Sequence, residues 1–171
     1  EVCFGASAGA PGGLFLTVTT RAAGEALVDH PLVRAVSFTG SARVGRLLLD
    51  RATSRPEPIP FYGELGSINP VFVTRRAWAA RGRSIAAEYV QSYTLGMGQF
   101  CTKPGLLFTP RLDDEDRQAL VSAVREVSPT PMLTPQLAEG FLSTRSAMAE
   151  RGLTELVAGG TGTAPAPALF T

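Results

Sequence analysis

The stretch that decides the fold class is Arg34-Ala35-Val36-Ser37-Phe38-Thr39-Gly40-Ser41, continuing as Ala42-Arg43-Val44-Gly45-Arg46-Leu47-Leu48. Residues 34–39 are mostly apolar or β-branched and read as a strand. Gly40 and Ser41 follow at once. Ser41 is a good N-cap, since a hydroxyl there accepts a first-turn N–H, for a helix from about Ala42 to Ala52. Val44, Leu47 and Leu48 share one face of that helix. Strand, glycine turn and capped helix make half of a βαβ unit.

Working outward, residues 22–29 suit a short helix closed by His30 and Pro31. Before it, Leu14 to Thr19 reads as a buried strand and Gly5 to Gly13 as a loop. After the central helix, Arg55 to Pro60 (RPEPIP) is an extended connector, because each proline biases its predecessor away from helix. Asn69 to Thr74 reads as a strand. Ser84 to Leu95 reads as a helix, with Ile85, Tyr89 and Tyr93 four apart. A Gly-Met-Gly break precedes Gln99-Phe100-Cys101, and Leu106 to Thr109 is another strand. Asp113 caps a helix to about Glu126, a second helix runs from Thr134 to Arg151, and a strand follows from Glu155 to Ala158. The Gly, Thr, Ala and Pro tail from Gly159 needs no order on composition alone. No internal repeat is visible, and the alternation of strands and helices argues α/β.

At 171 residues, 44% hydrophobic and 18% charged, the chain has a globular composition. Sixteen basic and fifteen acidic residues leave a net charge of +1, which gives no electrostatic case for a nucleic-acid or anionic-membrane partner. No run of eighteen apolar residues suggests a membrane span. The sequence opens on Glu1 with no signal pattern, and reads as a piece of a longer chain. Cys3 and Cys101 lie far apart, which argues for reduced thiols in a cytoplasmic setting.

Cys101 sits in GQFCTKPG, after a predicted helix and among small and turn-forming residues. A nucleophilic thiolate needs room for a substrate and nearby dipoles or cations, and Lys103, the one lysine of the chain, is close in sequence. The competing reading is a buried inert thiol; Cys3 is assigned to that reading. Glu64 lies in YGELGSINP. A carboxylate held in a partly apolar pocket can take a proton from water near neutral pH, while the plainer reading is a surface carboxylate at a strand end. The FTGS turn before a helix can present N–H groups to a pyrophosphate, or serve as ordinary capping. His30 reads as structural, since no cysteine or acidic cluster surrounds it to build a metal site.

Four phrases in order carry a resemblance. PGGLFLTV, HPLVRAVSFTGSARVG, ELGSINPVFV and GQFCTKPG, between about Ala10 and Gly105, resemble the aldehyde dehydrogenase superfamily in wording and spacing. The usual glutamate motif reads ELGGKSP, whereas Ser67, Ile68 and Asn69 stand here before Pro70. That wording, with RPEPIP and GQFCTKPG, is similar to the branch holding α-ketoglutaric semialdehyde dehydrogenases and NADP-dependent fatty aldehyde dehydrogenases. Beyond Pro110 the resemblance thins.

The resemblance implies part of a Rossmann-type dinucleotide-binding domain over 1–63 and part of an α/β catalytic domain over 64–171. It implies that Cys101 attacks an aldehyde and that Glu64 activates the water that releases the acid. It implies NAD or NADP as cofactor, with Gly40 and Ser41 by the pyrophosphate, Gly45 allowing close packing, and the Glu64-Leu65 backbone bordering the nicotinamide. Phe100 and Thr102, flanking the nucleophile, are expected to shape the aldehyde pocket. The parent protein is expected to be a cytoplasmic homo-oligomer acting on a small-molecule aldehyde. Two readings stay open: an oxidising enzyme of which this is a portion, or a catalytically silent remnant with exposed apolar patches and unpaired strand edges.

Overall fold

The computed structural model describes residues 20–171. The loop expected over 5–13, the strand expected over 14–19 and Cys3 lie outside them. The chain divides into two compact units, Glu1–Gly66 and Ser67–Thr171.

In the first unit the order is α1 (Arg21–Asp29), β1 (Val36–Thr39), α2 (Ala42–Thr53) and β2 (Phe61–Glu64). Helix α1 starts because the Thr20 hydroxyl accepts the Ala23 N–H at 3.2 Å. Ser41 does the same for α2, accepting the Val44 N–H at 3.3 Å. The expected face packs inward: Leu48 and Ala52 are buried with Val28 and Ile59, and Val36, Phe38, Val44 and Leu47 lie against them. Burying a Leu or Val side chain is worth about 1.5–3 kcal/mol, so this small cluster is what holds helix to strand.

Strand β2 is an addition to the sequence reading, which gave only an extended segment before Glu64. It pairs with β1 in parallel, Val36 opposite Phe61 and Thr39 opposite Glu64. Ile59, 7% exposed, anchors the end of the connector and seats the strand. The connector also carries Arg55, whose guanidinium donates to the carbonyls of Val28 (3.1 Å), Val33 (2.9 Å) and His30 (3.1 Å). Carbonyls at the end of α1, which have no partner within the helix, are thereby satisfied. His30 serves this turn, accepting the Leu32 N–H on Nδ1 at 3.2 Å.

The second unit runs β3 (Pro70–Phe72), α3 (Arg75–Thr94), a 3₁₀ turn (Leu95–Gly98), β4 (Leu106–Phe108), α4 (Asp114–Arg125), α5 (Pro135–Glu150), β5 (Glu155–Val157) and β6 (Leu169–Phe170). β3 and β4 are parallel, Val71 opposite Leu107, with α3 as the crossover. Its core joins Trp78, Ala86 and Val90 of α3 to Leu120, Val121 and Val124 of α4 and Val157 of β5. The Trp78 indole donates to Asp116 at 2.6 Å, so the buried N–H has its partner. Asp113 caps α4, as expected, by accepting the Asp116 N–H at 2.8 Å. Tyr89 and Tyr93 lie with ring centroids 5.3 Å apart, and burial raises the pKa of both hydroxyls, Tyr93 further because Tyr89 is beside it.

One expectation is corrected here, and one point that composition left open is settled. Helix α3 starts at Arg75, capped by Thr74, rather than near Ser84. Arg81 (φ −153°, ψ 34°) kinks it beside Gly82, and the kink disrupts the periodicity on which the reading relied. The tail from Gly159 is ordered. Thr154 and Thr171 exchange two backbone hydrogen bonds of 2.9 Å, and β6 pairs antiparallel with β5. The two apolar residues at 169 and 170 give the tail a reason to return that bulk composition hides. The exposed apolar residues expected from the sequence include Phe72 and Phe108, which stack with centroids 4.8 Å apart.

Candidate active site

The loop carrying Cys101 begins where α3 ends, and its turn is built on left-handed backbone. Gly96, Met97 and Gly98 have φ of 56°, 57° and 71°. Glycine adopts this region freely, while a side chain there costs about 1–2 kcal/mol, so Met97 is held by its surroundings. Gln99 is one such tie: its Nε2 donates to the Gly96 carbonyl and its Oε1 accepts the Leu133 N–H, both at 2.8 Å. Lys103 closes a turn with its N–H on the Phe100 carbonyl at 3.1 Å. Gly105 then docks on the β3 side, donating to the Ile68 carbonyl at 2.7 Å. A Cβ at Gly105 would lie 3.0 Å from that oxygen, which is why the approach needs glycine.

Cys101 itself is a free thiol with an exposed side chain, not the buried inert one of the competing reading. Phe100 beside it in sequence is 54% exposed, and so is not core. The Lys103 stem lies along Gly98. Ser67 and Asn69 also reach this loop. The Ser67 hydroxyl donates to the Cys101 carbonyl at 2.6 Å, and the Asn69 amide donates to the same oxygen at 2.8 Å. Sequence reading noticed these two only as departures from family wording. Nothing in their spacing announced that they bind a loop more than thirty residues away.

The other candidates lie in the first unit. Glu64 closes β2, with its side chain exposed at the strand end, and its carbonyl accepts the Gly40 N–H at 3.0 Å. Gly40 and Glu64 therefore meet through backbone, at the carboxyl ends of two parallel strands. Such ends are where open α/β sheets take their ligands. Ser41 and the start of α2 follow directly. The first turn of α2 has no acidic residue and carries Arg43, so charge and helix dipole both favour an anion there. Gly45 is buried under the Leu65 side chain, and an added Cβ would run into Leu65 Cδ2. Gly40, Ser41, Gly45, Glu64 and Leu65 thus form one connected set. Cys101 belongs to the second unit, and each group is placed by its own unit.

Among the described residues no helix is long and apolar enough to cross a membrane. Nor, among them, do three His, Cys, Asp or Glu side chains gather to hold a metal ion.

Residues 3–159 match the aldehyde dehydrogenase family. The chain is 45% identical over 160 residues to α-ketoglutaric semialdehyde dehydrogenase 2 of Azospirillum brasilense, covering 90% of this chain and 30% of that protein. It is 42% identical over 129 residues to an α-ketoglutaric semialdehyde dehydrogenase of Acinetobacter baylyi, covering 74% of this chain and 24% of that one. In fold it matches an NAD-dependent benzaldehyde dehydrogenase of Corynebacterium glutamicum, with a TM-score of 0.79 at 24% identity over 95% of this chain and 38% of that structure. The chain thus spans a third or less of the curated relatives it matches. A βαβ start with a capped helix, a glutamate at a strand end and an exposed cysteine on a glycine-bounded loop are the local features, and the extent of the match decides their setting: the chain belongs to the aldehyde dehydrogenase family.

Proposed function

We propose that the full-length protein containing this chain oxidises an aldehyde to its carboxylic acid with NAD or NADP, and that Cys101 is the nucleophile. The observation that supports this most is the exposed Cys101 thiol on a loop tied down on both sides. A thiolate attacks a carbonyl carbon only when it is reachable and held in line.

The Cys101 sulfur adds to the aldehyde carbon, and the carbonyl oxygen becomes the oxyanion of a thiohemiacetal. Loss of hydride from that carbon leaves a thioester on Cys101; the nicotinamide, when bound, supplies the hydride acceptor. Glu64 then removes a proton from water, the hydroxide adds to the thioester, and the acid leaves as the thiolate re-forms. Ser41, with the α2 N-terminus and Arg43, would hold the pyrophosphate; Gly45 would let Leu65 sit close, beside the nicotinamide. The Gly40 N–H is already used by the Glu64 carbonyl, so Gly40 would act by leaving room rather than by donating.

On this reading residues 1–63 belong to the dinucleotide-binding domain and 64–171 to the catalytic domain of a homo-oligomeric, cytoplasmic enzyme. The names of the two curated relatives favour α-ketoglutaric semialdehyde as the substrate. The test is reduced-cofactor formation, followed by absorbance, by the full-length protein with that semialdehyde and with a long-chain aldehyde. Turnover by the wild type and none by Cys101→Ala is the expected result. Glu64→Gln should give a burst of about one reduced cofactor per site and then stall, because thioester hydrolysis is lost. Full activity of Cys101→Ala, or no aldehyde oxidised, would overturn the assignment.

A further inference from the structure

We infer that Asn69 and Ser67 are positioning residues for the nucleophile, acting as a clamp on the backbone carbonyl of Cys101; this rests on Cys101 being the nucleophile.

The Cys101 carbonyl accepts twice, from Ser67 Oγ at 2.6 Å and Asn69 Nδ2 at 2.8 Å. The same Asn69 amide donates to the Lys103 carbonyl at 3.1 Å and to Ser67 Oγ at 3.2 Å. All three of its partners accept, which fixes the amide with its NH₂ facing the loop. Asn69 can aim it there because its backbone is left-handed, at φ 50°, a conformation asparagine tolerates better than most residues. Directly between Ser67 and Asn69, the Ile68 carbonyl accepts the Gly105 N–H, so the three residues 67–69 together hold the loop at 101, 103 and 105.

The consequence for the thiol follows from peptide planarity. The Cys101 carbonyl and the Thr102 N–H share one rigid trans unit and point in opposite directions. Fixing the carbonyl toward 67–69 aims the Thr102 N–H away from them, and fixes one of the two peptide planes from which the Cys101 side chain springs. The clamp is exposed to solvent, where a hydrogen bond adds little to global stability because water can replace it. Its contribution is therefore geometric, and separable from folding.

The test uses the full-length protein with Asn69→Gly, which keeps the left-handed backbone and loses the amide, and Ser67→Ala. Two quantities are read: kcat and KM for aldehyde oxidation, and the rate of Cys101 alkylation by iodoacetamide at one fixed pH, followed on the Cys101 peptide by mass spectrometry. Asn69→Gly should lower kcat about tenfold with KM little changed, the pattern of a lost transition-state contribution. Its alkylation rate should fall severalfold while its melting temperature stays near that of the wild type. Ser67→Ala should shift both readouts in the same direction by less. Wild-type kcat and alkylation rates in both variants would overturn the clamp. Loss of activity in step with loss of melting temperature, with an unchanged alkylation rate, would overturn it too, showing the residues to be merely structural. A fully active Cys101→Ala would remove the nucleophile reading and the catalytic meaning of the clamp with it, whereas the alkylation rate reports the clamp independently of turnover.

Discussion

Gly45→Ala sets two known effects against each other. Glycine inside a helix is worse than alanine by about 0.8–1 kcal/mol, so the substitution alone should stabilise α2. Here, however, the new Cβ would run into Leu65 Cδ2, and overpacking of this kind costs about 1–3 kcal/mol. The clash meets the end of a flexible side chain rather than backbone, so the cost belongs at the lower part of that range, and the net is a loss of up to about 1 kcal/mol. With Leu65→Ala already in place the obstacle is gone, and Gly45→Ala should then stabilise by about 1 kcal/mol. The sign reverses between the two backgrounds, and the coupling is roughly 1–2 kcal/mol. Urea denaturation of the four proteins followed by circular dichroism measures it; with m of about 1–3 kcal/mol/M the midpoints differ by several tenths molar or more. If Gly45→Ala stabilises equally in both backgrounds, Leu65 does not rest on Gly45, and the packing argument for this pair is wrong.

The buried tyrosines predict a pH limit. Burial raises the hydroxyl pKa of Tyr89 and Tyr93 in the folded protein, so above about pH 10 the unfolded chain binds fewer protons than the folded one, and stability falls as pH rises. Phenolate absorbance should show two tyrosines ionising late, together with loss of near-ultraviolet circular dichroism; ionisation of both at ordinary pH without unfolding would contradict their burial. Arg55→Met keeps the aliphatic stem and removes three hydrogen bonds to the α1 turn, and should cost about 1–2 kcal/mol in urea denaturation. Hydrogen exchange should speed up at 28–33 and not in the second unit, and no change there would mean that water replaces the guanidinium without loss.

Local chemistry was legible in the sequence wherever one residue type has one favoured use. Ser41, Asp113 and the 44/47/48 face declared their helices because a cap and an apolar stripe are properties of a few adjacent residues. Strand β2 and the first half of α3 were not legible for the opposite reason. The prolines of RPEPIP hide a strand whose pairing is decided by Ile59 settling into a core, and the Arg81-Gly82 kink splits one helix into two periodicities. The ordered tail depends on partners in β5. For the site, glycine-bounded Cys101 and Glu64 stood out as words, but what Asn69 and Ser67 do is set by contacts across the β3–β4 register. No window of the sequence contains both ends of such a contact.

That register also governs when the Cys101 loop can take shape. Ser67 and Cys101 are 34 residues apart, and α3 lies between them. Closing a segment of that length carries an entropy cost that must be met before any contact across it is gained. A chain emerging or refolding therefore holds Cys101 in an ordinary, unorganised peptide until α3 has formed and β4 has found β3. A second unit in which β4 has not paired with β3 would carry the thiol without its contacts to Ser67 and Asn69.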